Sequence, residues 1–308
     1  MATREGTLPG QLDQPPVSKM SPLLLFSILG AFSLAIWWNA LKATLALALN
    51  DDQFTHILLI IPISATLIVL EWKPAESSDH RHKSIGAALL SLALLIAGTV
   101  KWRTDSLPSD IQLSLNMIAF VVWWVAGYIF CFGIRAFRRG LFPLLFLLWL
   151  VPLPEFVLNR IVVLLQQGSA VAAHLIFIAA RVPVGQRGLL LDIPGLTLEV
   201  APECSSIRSS LMLVVTSMVL AQLFLRSNWR KALVVAAAIP LSVAKNGLRI
   251  FAIGFLGTRV NRAFLTGRLH RQGGIIFFLF ALAVMFLLLW IFRRQEKRML
   301  RNHPHQTS

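Results

Sequence analysis

Long apolar runs, separated by short clusters of basic residues, make up most of this 308-residue chain. Hydrophobic residues account for 56% of the sequence and charged residues for 14%. A soluble core of this size cannot bury so much apolar surface. A run of about 20 apolar residues is long enough to cross a bilayer as a helix. The sequence therefore predicts an all-α polytopic membrane protein.

The positive charge is distributed in the way that membrane proteins distribute it. The formal net charge is +15, yet the basic residues stand in short clusters between apolar runs, as in cytoplasmic loops. This pattern argues against a nucleic-acid partner and for membrane lipids. The strongest cluster follows the last apolar run and comprises Arg293, Arg294, Lys297, Arg298 and Arg301. We expect a disordered cytoplasmic tail over 1–20, a transmembrane domain over 21–292 and a basic cytoplasmic tail over 293–308.

The apolar runs predict about eight transmembrane helices. They cover roughly 22–38, 54–70, 84–102, 111–132, 159–180, 205–225, 231–256 and 273–292. The segment 141–151 is too short for an ordinary span and ends at Pro152 and Pro154. Either it or the neighbouring run at 159–180 is expected not to cross fully, as a half-span or an interfacial helix.

The periodicity changes to two between residues 188 and 200. Leu196, Leu198 and Val200 alternate with polar residues after a turn at Pro194-Gly195. This pattern predicts a short β-hairpin over 188–200. Its open edges cannot face lipid, so we expect it in water or against protein at the extracytoplasmic surface.

The stretch 202–210 contains the residues with the clearest chemical character. Pro202 favours the first turn of a helix, which places Cys204 where unpaired N–H groups stabilise a thiolate. Arg208, at i+4, would direct its positive charge along the same face. A lone cysteine is more often a small buried apolar residue. Proline, glutamate, arginine and four serines around it favour a nucleophile instead.

Arg249 is predicted about seven residues, or roughly 10 Å, below the outer end of its helix. An arginine there needs a partner or a water-filled cavity, so it is a candidate site residue that binds an oxyanion or a carboxylate. Asn246, at i−3, is placed to orient it. Lys245, at i−4, contributes to the site or only faces a polar seam.

His270 stands at the entrance to the last apolar run. A single histidine there is usually a surface residue. Together with an outward-facing cysteine and an intramembrane arginine, it becomes the candidate acid and base for acyl transfer. His56 is a weaker candidate for the base or for a substrate contact.

The sequence predicts no metal and no other cofactor. Its cysteines and histidines lack zinc spacing, and no glycine-rich phosphate loop occurs. Cys131 lies near the inner end of the fourth run, a membrane thickness from Cys204. The two cysteines therefore cannot form a disulfide, and Cys131 is expected to serve packing.

At these residues the chain resembles the exosortase/archaeosortase family of membrane-embedded processing enzymes. The matching stretches are 203–210 around Cys204, Asn246-Gly-Leu-Arg249, His270 with Gly273, Gly274 and Phe277, the run 141–156, and Phe54-Thr-His56. The chain departs from the family at Ser206, where Gly or Ala is common, and at Ile57, where Gly usually follows the histidine. The resemblance covers residues 20–290.

The resemblance implies a site formed by Cys204, Arg249 and His270. It also implies protein substrates with a PEP-CTERM-like signal, which consists of a short motif, a transmembrane helix and a basic end. The expected location is a bacterial inner membrane, with the site facing the periplasm, and a link to exopolysaccharide export. The expected reaction passes through a thioester that water or an amine resolves.

Two alternatives remain open at this point. A transporter or lipid-handling protein would use Arg249 and Lys245 to bind an anionic ligand and would need no cysteine. A serine hydrolase would use Ser205 or Ser206 as its nucleophile. The oligomeric state does not follow from the sequence.

Overall fold

The structure is a computed structural model that describes residues 21–71, 80–201, 207–260 and 268–302. Helices dominate these ranges. They are α1 (Pro22–Ile36), α2 (Trp38–Asn50), α3 (Ile57–Glu71), α4 (His80–Trp102), α5 (Ser109–Arg139), α6 (Leu141–Phe146), α7 (Glu155–Ala179), α8 (Ile207–Phe224), α9 (Asn228–Arg259) and α10 (Arg268–Asn302). Short 3₁₀ turns precede α3 at Asp52–Phe54 and continue α6 over Leu147–Leu150.

The number of spans agrees with the sequence. Within the described ranges, seven helices are long and apolar enough to cross a membrane, and α1 with α2 forms a bent pair that would be an eighth. The two helices of this pair meet at an angle of 72°. Many large apolar side chains remain exposed on the bundle, as expected where helices face lipid. The predicted all-α polytopic membrane protein with about eight spans is confirmed.

The region 140–181 contains one short and one long helix. Helix α6 and its 3₁₀ continuation cover only Leu141–Leu150, whereas α7 has 25 residues. Ten helical residues rise about 15 Å, roughly half of the hydrocarbon core, so the short segment cannot cross alone. The Ser114 hydroxyl of α5 donates to the Pro152 carbonyl at 2.7 Å and fixes the turn between the two helices. The span is therefore α7.

Helix α5 has a break at Gly133 and continues beyond the apolar run that the sequence predicted. Its backbone leaves the helical region at Gly133, where φ is 82°, a value that glycine adopts readily. The predicted fourth run ended at Phe132, one residue earlier. The basic residues Arg138 and Arg139 follow the break, in the last turn of α5.

The predicted hairpin is present and gains a third strand. Strands β2 (Leu190–Ile193) and β3 (Leu196–Glu199) pair antiparallel across a turn with Gly195 at φ 82°, and β1 (Gly185–Arg187) pairs with β2. The apolar face of the sheet packs on α7 and α9, and its buried side chains there include Leu191 and Val200. Three residues are too few for β1 to show an alternating pattern in the sequence.

Helices α7 and α9 lie unusually close together. A Cβ atom added at Gly247 of α9 would lie 2.6 Å from the Ala172 Cβ and 2.9 Å from the Ala173 backbone nitrogen, both in α7. One added at Gly168 of α7 would lie 3.1 Å from a Val243 methyl group. Small residues permit such close approach of membrane helices. This contact fixes the position of α9, the helix that contains Arg249.

The two ends of the bundle differ in composition. The hairpin end carries the sheet, the start of α8 and the C-terminal half of α9. The basic end carries the loop between α8 and α9 and the C-terminal part of α10. Helix α10 continues past Phe292 to Asn302, so the first part of the predicted basic tail is helical.

Candidate active site

Helices α8 and α9 meet near the start of α8. Lys245 of α9 donates a hydrogen bond from its ammonium to the Ser209 hydroxyl, two residues after α8 begins at Ile207. Lys245 is only 3% exposed. Arg249 follows one turn later, about 6 Å nearer the C-terminal end of α9. Because α8 and α9 run antiparallel, Arg249 lies on the side of Ser209 from which the chain enters α8.

Arg208 also contributes to this end of α8, through a partner that the sequence did not suggest. Its guanidinium donates to the Asp52 carboxylate at 2.6 Å, and both side chains are more than half exposed. A pair as exposed as this stabilises the fold by at most about 1 kcal/mol. Its importance is positional, because it holds the first turn of α8 against the 3₁₀ turn that precedes α3.

His56 lies two residues after that 3₁₀ turn and is buried. Its ring lies edge-on to Trp149, with 6.1 Å between the ring centroids. The Arg208–Asp52 pair therefore brings the start of α8 beside the segment that contains His56. The supporting role predicted for His56 stays a prediction, since its described ring contact is to Trp149.

Asn246 anchors α9 to α7. Its side-chain amide donates to the Ser169 hydroxyl at 2.9 Å, and both residues are buried. The predicted orientation of Arg249 by Asn246 stays a prediction. The sequence pattern gave no role to Ser169, because a single serine in an apolar helix has no distinctive signal.

A side-chain amide of α7 holds the chain where it leaves the sheet. Gln166 is buried and donates to the Val200 carbonyl at 2.9 Å. Val200 is the residue at which β3 leads toward the cysteine segment. A buried glutamine in an apolar helix is a detectable sequence signal, but the sequence does not reveal its partner, 34 positions away.

The sheet is held together by charge at its tip. The Asp192 carboxylate accepts hydrogen bonds from Arg187 at 2.7 Å and from Thr197 at 2.8 Å. These bonds lower the pKa of Asp192, with the Arg187 contact as the larger cause. The three residues come from three different strands, so the pair and the hydroxyl tie the small sheet together at neutral pH.

Two predicted site positions fall at the limit of the described structure. Cys204 belongs to residues 202–206, which lie outside the described residues, as do the alternative nucleophiles Ser205 and Ser206. His270 lies in the first turn of α10, but its side chain is outside the description. Arg249, Asn246, Arg208 and His56 are described and all belong to the hairpin end.

The described residues contain no group of three or more histidine, cysteine, aspartate or glutamate side chains able to hold a metal ion. The site is instead defined by cations and amides at the junction of α7, α8 and α9. This arrangement, in a bundle of seven or eight apolar helices, is that of a multi-pass membrane protein with a buried polar centre at one end.

Comparison with known families identifies the family of this chain. The family model of the transmembrane exosortases matches residues 37–287, more than three quarters of the sequence. The chain therefore belongs to the exosortase family, as its resemblance indicated. Membership makes it a membrane transpeptidase or protease that acts on sorting signals. Searches of curated proteins and of solved structures find no significant match.

Proposed function

We propose that this exosortase is a cysteine enzyme whose nucleophile is Cys204 and whose substrates carry a PEP-CTERM-like C-terminal signal. The observation that carries the proposal is the hydrogen bond from Lys245 to Ser209. It joins α9 to α8 five residues after Cys204. Arg249 is one helical turn further along α9, in the direction of the cysteine segment.

The third proposed residue comes from α10. Buried apolar residues of α8, α9 and α10 form one cluster, which includes Leu213, Val234 and Met285. The three helices that carry or follow Cys204, Arg249 and His270 are thus neighbours in a single packed unit. This arrangement supports a site to which all three contribute.

The proposed reaction is acyl transfer through the cysteine. The Cys204 thiolate attacks the scissile carbonyl carbon, a C–S bond forms, and the carbonyl oxygen becomes an oxyanion that the Arg249 guanidinium stabilises. His270 then protonates the leaving amine as the C–N bond breaks. The product is a thioester, which water or an acceptor amine resolves to regenerate the thiol.

The proposed location is a bacterial inner membrane, with the hairpin end in the periplasm. Basic residues at the opposite end support this orientation, because basic loops of membrane proteins remain in the cytoplasm. They include Arg226 between α8 and α9, Arg230 and Lys231 in the first turn of α9, and Arg293 and Arg294 in α10. The polar centre formed by α7, α8 and α9 then faces exported proteins.

Replacing each cysteine in turn tests the proposal. Cys204→Ala is expected to abolish cleavage of a co-expressed protein with a motif, a transmembrane helix and a basic end, as measured by a size shift on gels. Cys131→Ala is the matched control, since Cys131 is buried among Tyr128, Phe132 and Leu144. The control is expected to retain cleavage.

Unchanged cleavage in Cys204→Ala would remove the cysteine mechanism. Binding of an anionic ligand by Lys245 and Arg249 would then become the better account of the buried cations. Folding of each variant is checked by its elution as a single species in detergent, so that a misfolded variant is not mistaken for an inactive one.

A further inference from the structure

A second polar site lies at the basic end, far from the proposed catalytic residues. A cavity of about 250 Å³ opens between the end of α8, the following loop and the C-terminal part of α10. It is lined by the apolar segment 223–225 and by four charged side chains, called the rim here: Arg226, Arg293, Glu296 and Lys297. Three cations and one carboxylate therefore surround it.

The carboxylate of this rim is already fully engaged. The two oxygens of Glu296 accept hydrogen bonds from the backbone N–H groups of Arg226 and Ser227, each at 3.0 Å. One oxygen also lies 3.6 Å from the guanidinium of Arg230, whose side chain is 4% exposed. The charge of Glu296 is thus matched by a buried arginine that does not line the cavity.

The positive charge of the three rim cations is therefore not balanced by Glu296. The ion pairs found among the described residues join none of the side chains of Arg226, Arg293 and Lys297 to a carboxylate. Arg293 lies over the Phe224 ring, 5.2 Å from its centroid. The rim therefore presents net positive charge toward the cavity.

Exposed apolar and aromatic side chains place the cavity at a membrane interface. Leu223 and Phe224, which line the cavity, and Trp229 and Trp290, at the same end of α9 and α10, are all at least two-fifths exposed. Arg294 lies over the Trp290 ring at 3.9 Å. Tryptophan and arginine side chains exposed together are typical of the level of lipid headgroups. A ligand at this cavity would have its tail in contact with lipid.

We propose that Arg226, Arg293 and Lys297 bind the phosphate of an anionic phospholipid headgroup. Arginine and lysine are the residues that bind phosphate oxygens in proteins, and basic cavities between transmembrane helices bind anionic headgroups. The apolar lining at 223–225 contacts the glycerol and the upper part of the acyl chains. The site contributes lipid selectivity at the end of α8 and α9 opposite the chemistry.

Native mass spectrometry of the full-length protein tests this site. Phosphatidylglycerol and phosphatidylcholine are titrated against the wild type and against the triple variant R226Q/R293Q/K297Q. The matched control, R135Q/R138Q/R139Q, removes the same charge from the basic cluster of α5. We expect phosphatidylglycerol to bind more tightly than phosphatidylcholine, and the first variant to weaken its binding about tenfold or more. The control variant is expected to change phosphatidylglycerol binding by about twofold at most.

Three results would overturn the proposal. Equal losses in the two triple variants would indicate a general attraction of basic surfaces for anionic lipid. Equal binding of the two lipids by the wild type would contradict the preference for a net anionic headgroup, since both lipids carry a phosphate. Displacement of phosphatidylglycerol by inorganic phosphate at equal concentration would identify free phosphate, and not the lipid, as the ligand. The charge-conserving variant R226K/R293K/K297R is expected to retain binding, which separates loss of charge from misfolding.

Discussion

Helix α9 contains two buried cations, one in its first turn and one in its C-terminal half, and their partners differ in charge. Arg230 at the basic end and Lys245 at the hairpin end are each 3% exposed. Arg230 lies against the Glu296 carboxylate, whereas Lys245 donates to the neutral hydroxyl of Ser209. Burying a charge costs several kcal/mol unless a partner compensates for it. The first cation is compensated by a charge within the fold, and the hydrogen bond of the second supplies no opposite charge.

We expect this difference to separate a structural role at the basic end from the proposed functional role at the hairpin end. Glu296 joins α10 to the start of α9 through two backbone N–H groups and one arginine, so the basic end is fixed. At the hairpin end, Lys245 and Arg249 place two cations one turn apart on α9. Positive charge concentrated in this way favours a developing negative charge, which an acyl transfer generates at the carbonyl oxygen.

The largest effect is expected from breaking the basic-end pair. Glu296→Ala leaves Arg230 buried without its carboxylate and should lower the free energy of unfolding by about 3–5 kcal/mol. Cleavage per folded molecule should not change, because the proposed active site is at the other end of the bundle. Denaturant titration in detergent micelles measures the free energy of unfolding. Glu155→Ala is the control, since that side chain is exposed, and should shift stability by less than about 0.5 kcal/mol. Equal shifts would show that the pair is not structural.

The next effect concerns Arg249, the cation proposed to act in catalysis. Arg249→Ala should reduce the cleavage rate about 10²–10³-fold, as expected when a donor to an oxyanion is removed. Its unfolding transition should stay near that of the wild type. Arg259→Ala, at the exposed end of the same helix, is the matched control and should cleave at the normal rate. A loss of stability without a loss of rate per folded molecule would make Arg249 a structural residue like Arg230.

A smaller effect is expected from the contact between α7 and α9. Gly247→Ala places a methyl group 2.6 Å from the Ala172 Cβ, so the helices must separate, at a cost of about 1–3 kcal/mol. The separation would also strain the adjacent hydrogen bond from Asn246 to Ser169. Gly98→Ala is the control, because nothing lies within 4 Å of an added methyl group there. Thermal unfolding of the two variants in parallel measures the difference, and equal transitions would contradict the close contact.

Much of the fold could be predicted because it depends on local sequence. The lengths of the apolar runs gave the number of spans, the prolines marked the short segment near α6, and alternation located the hairpin. The faces of the helices could not be predicted in the same way. Lipid-facing and buried surfaces are both apolar in a membrane bundle, so periodicity does not show which side of a helix contacts another.

The candidate site residues show the same contrast between local signals, which the sequence reveals, and long-range contacts, which it does not. Arg249 was selected as a candidate because an arginine in an apolar run is conspicuous, and Asn246 because it lies one turn away. Their contacts depend on which helices meet: the Asn246–Ser169 bond spans 77 positions and the Arg208–Asp52 bond 156. Glu296 has no local signal at all, since an acidic residue in a basic tail is expected to be solvated.

The central claim is that Cys204, Arg249 and His270 meet at the hairpin end, and thiol crosslinking tests it directly. In a Cys131→Ala background, a second cysteine is introduced by Arg249→Cys, His270→Cys or, at the basic end, Ser227→Cys. A short reagent with two thiol-reactive maleimide groups is then applied to membranes, and the intramolecular product is identified by mass spectrometry. We predict crosslinks from Cys204 to positions 249 and 270 and none to 227. The account is contradicted if neither 249 nor 270 is crosslinked although all the cysteines react with a maleimide.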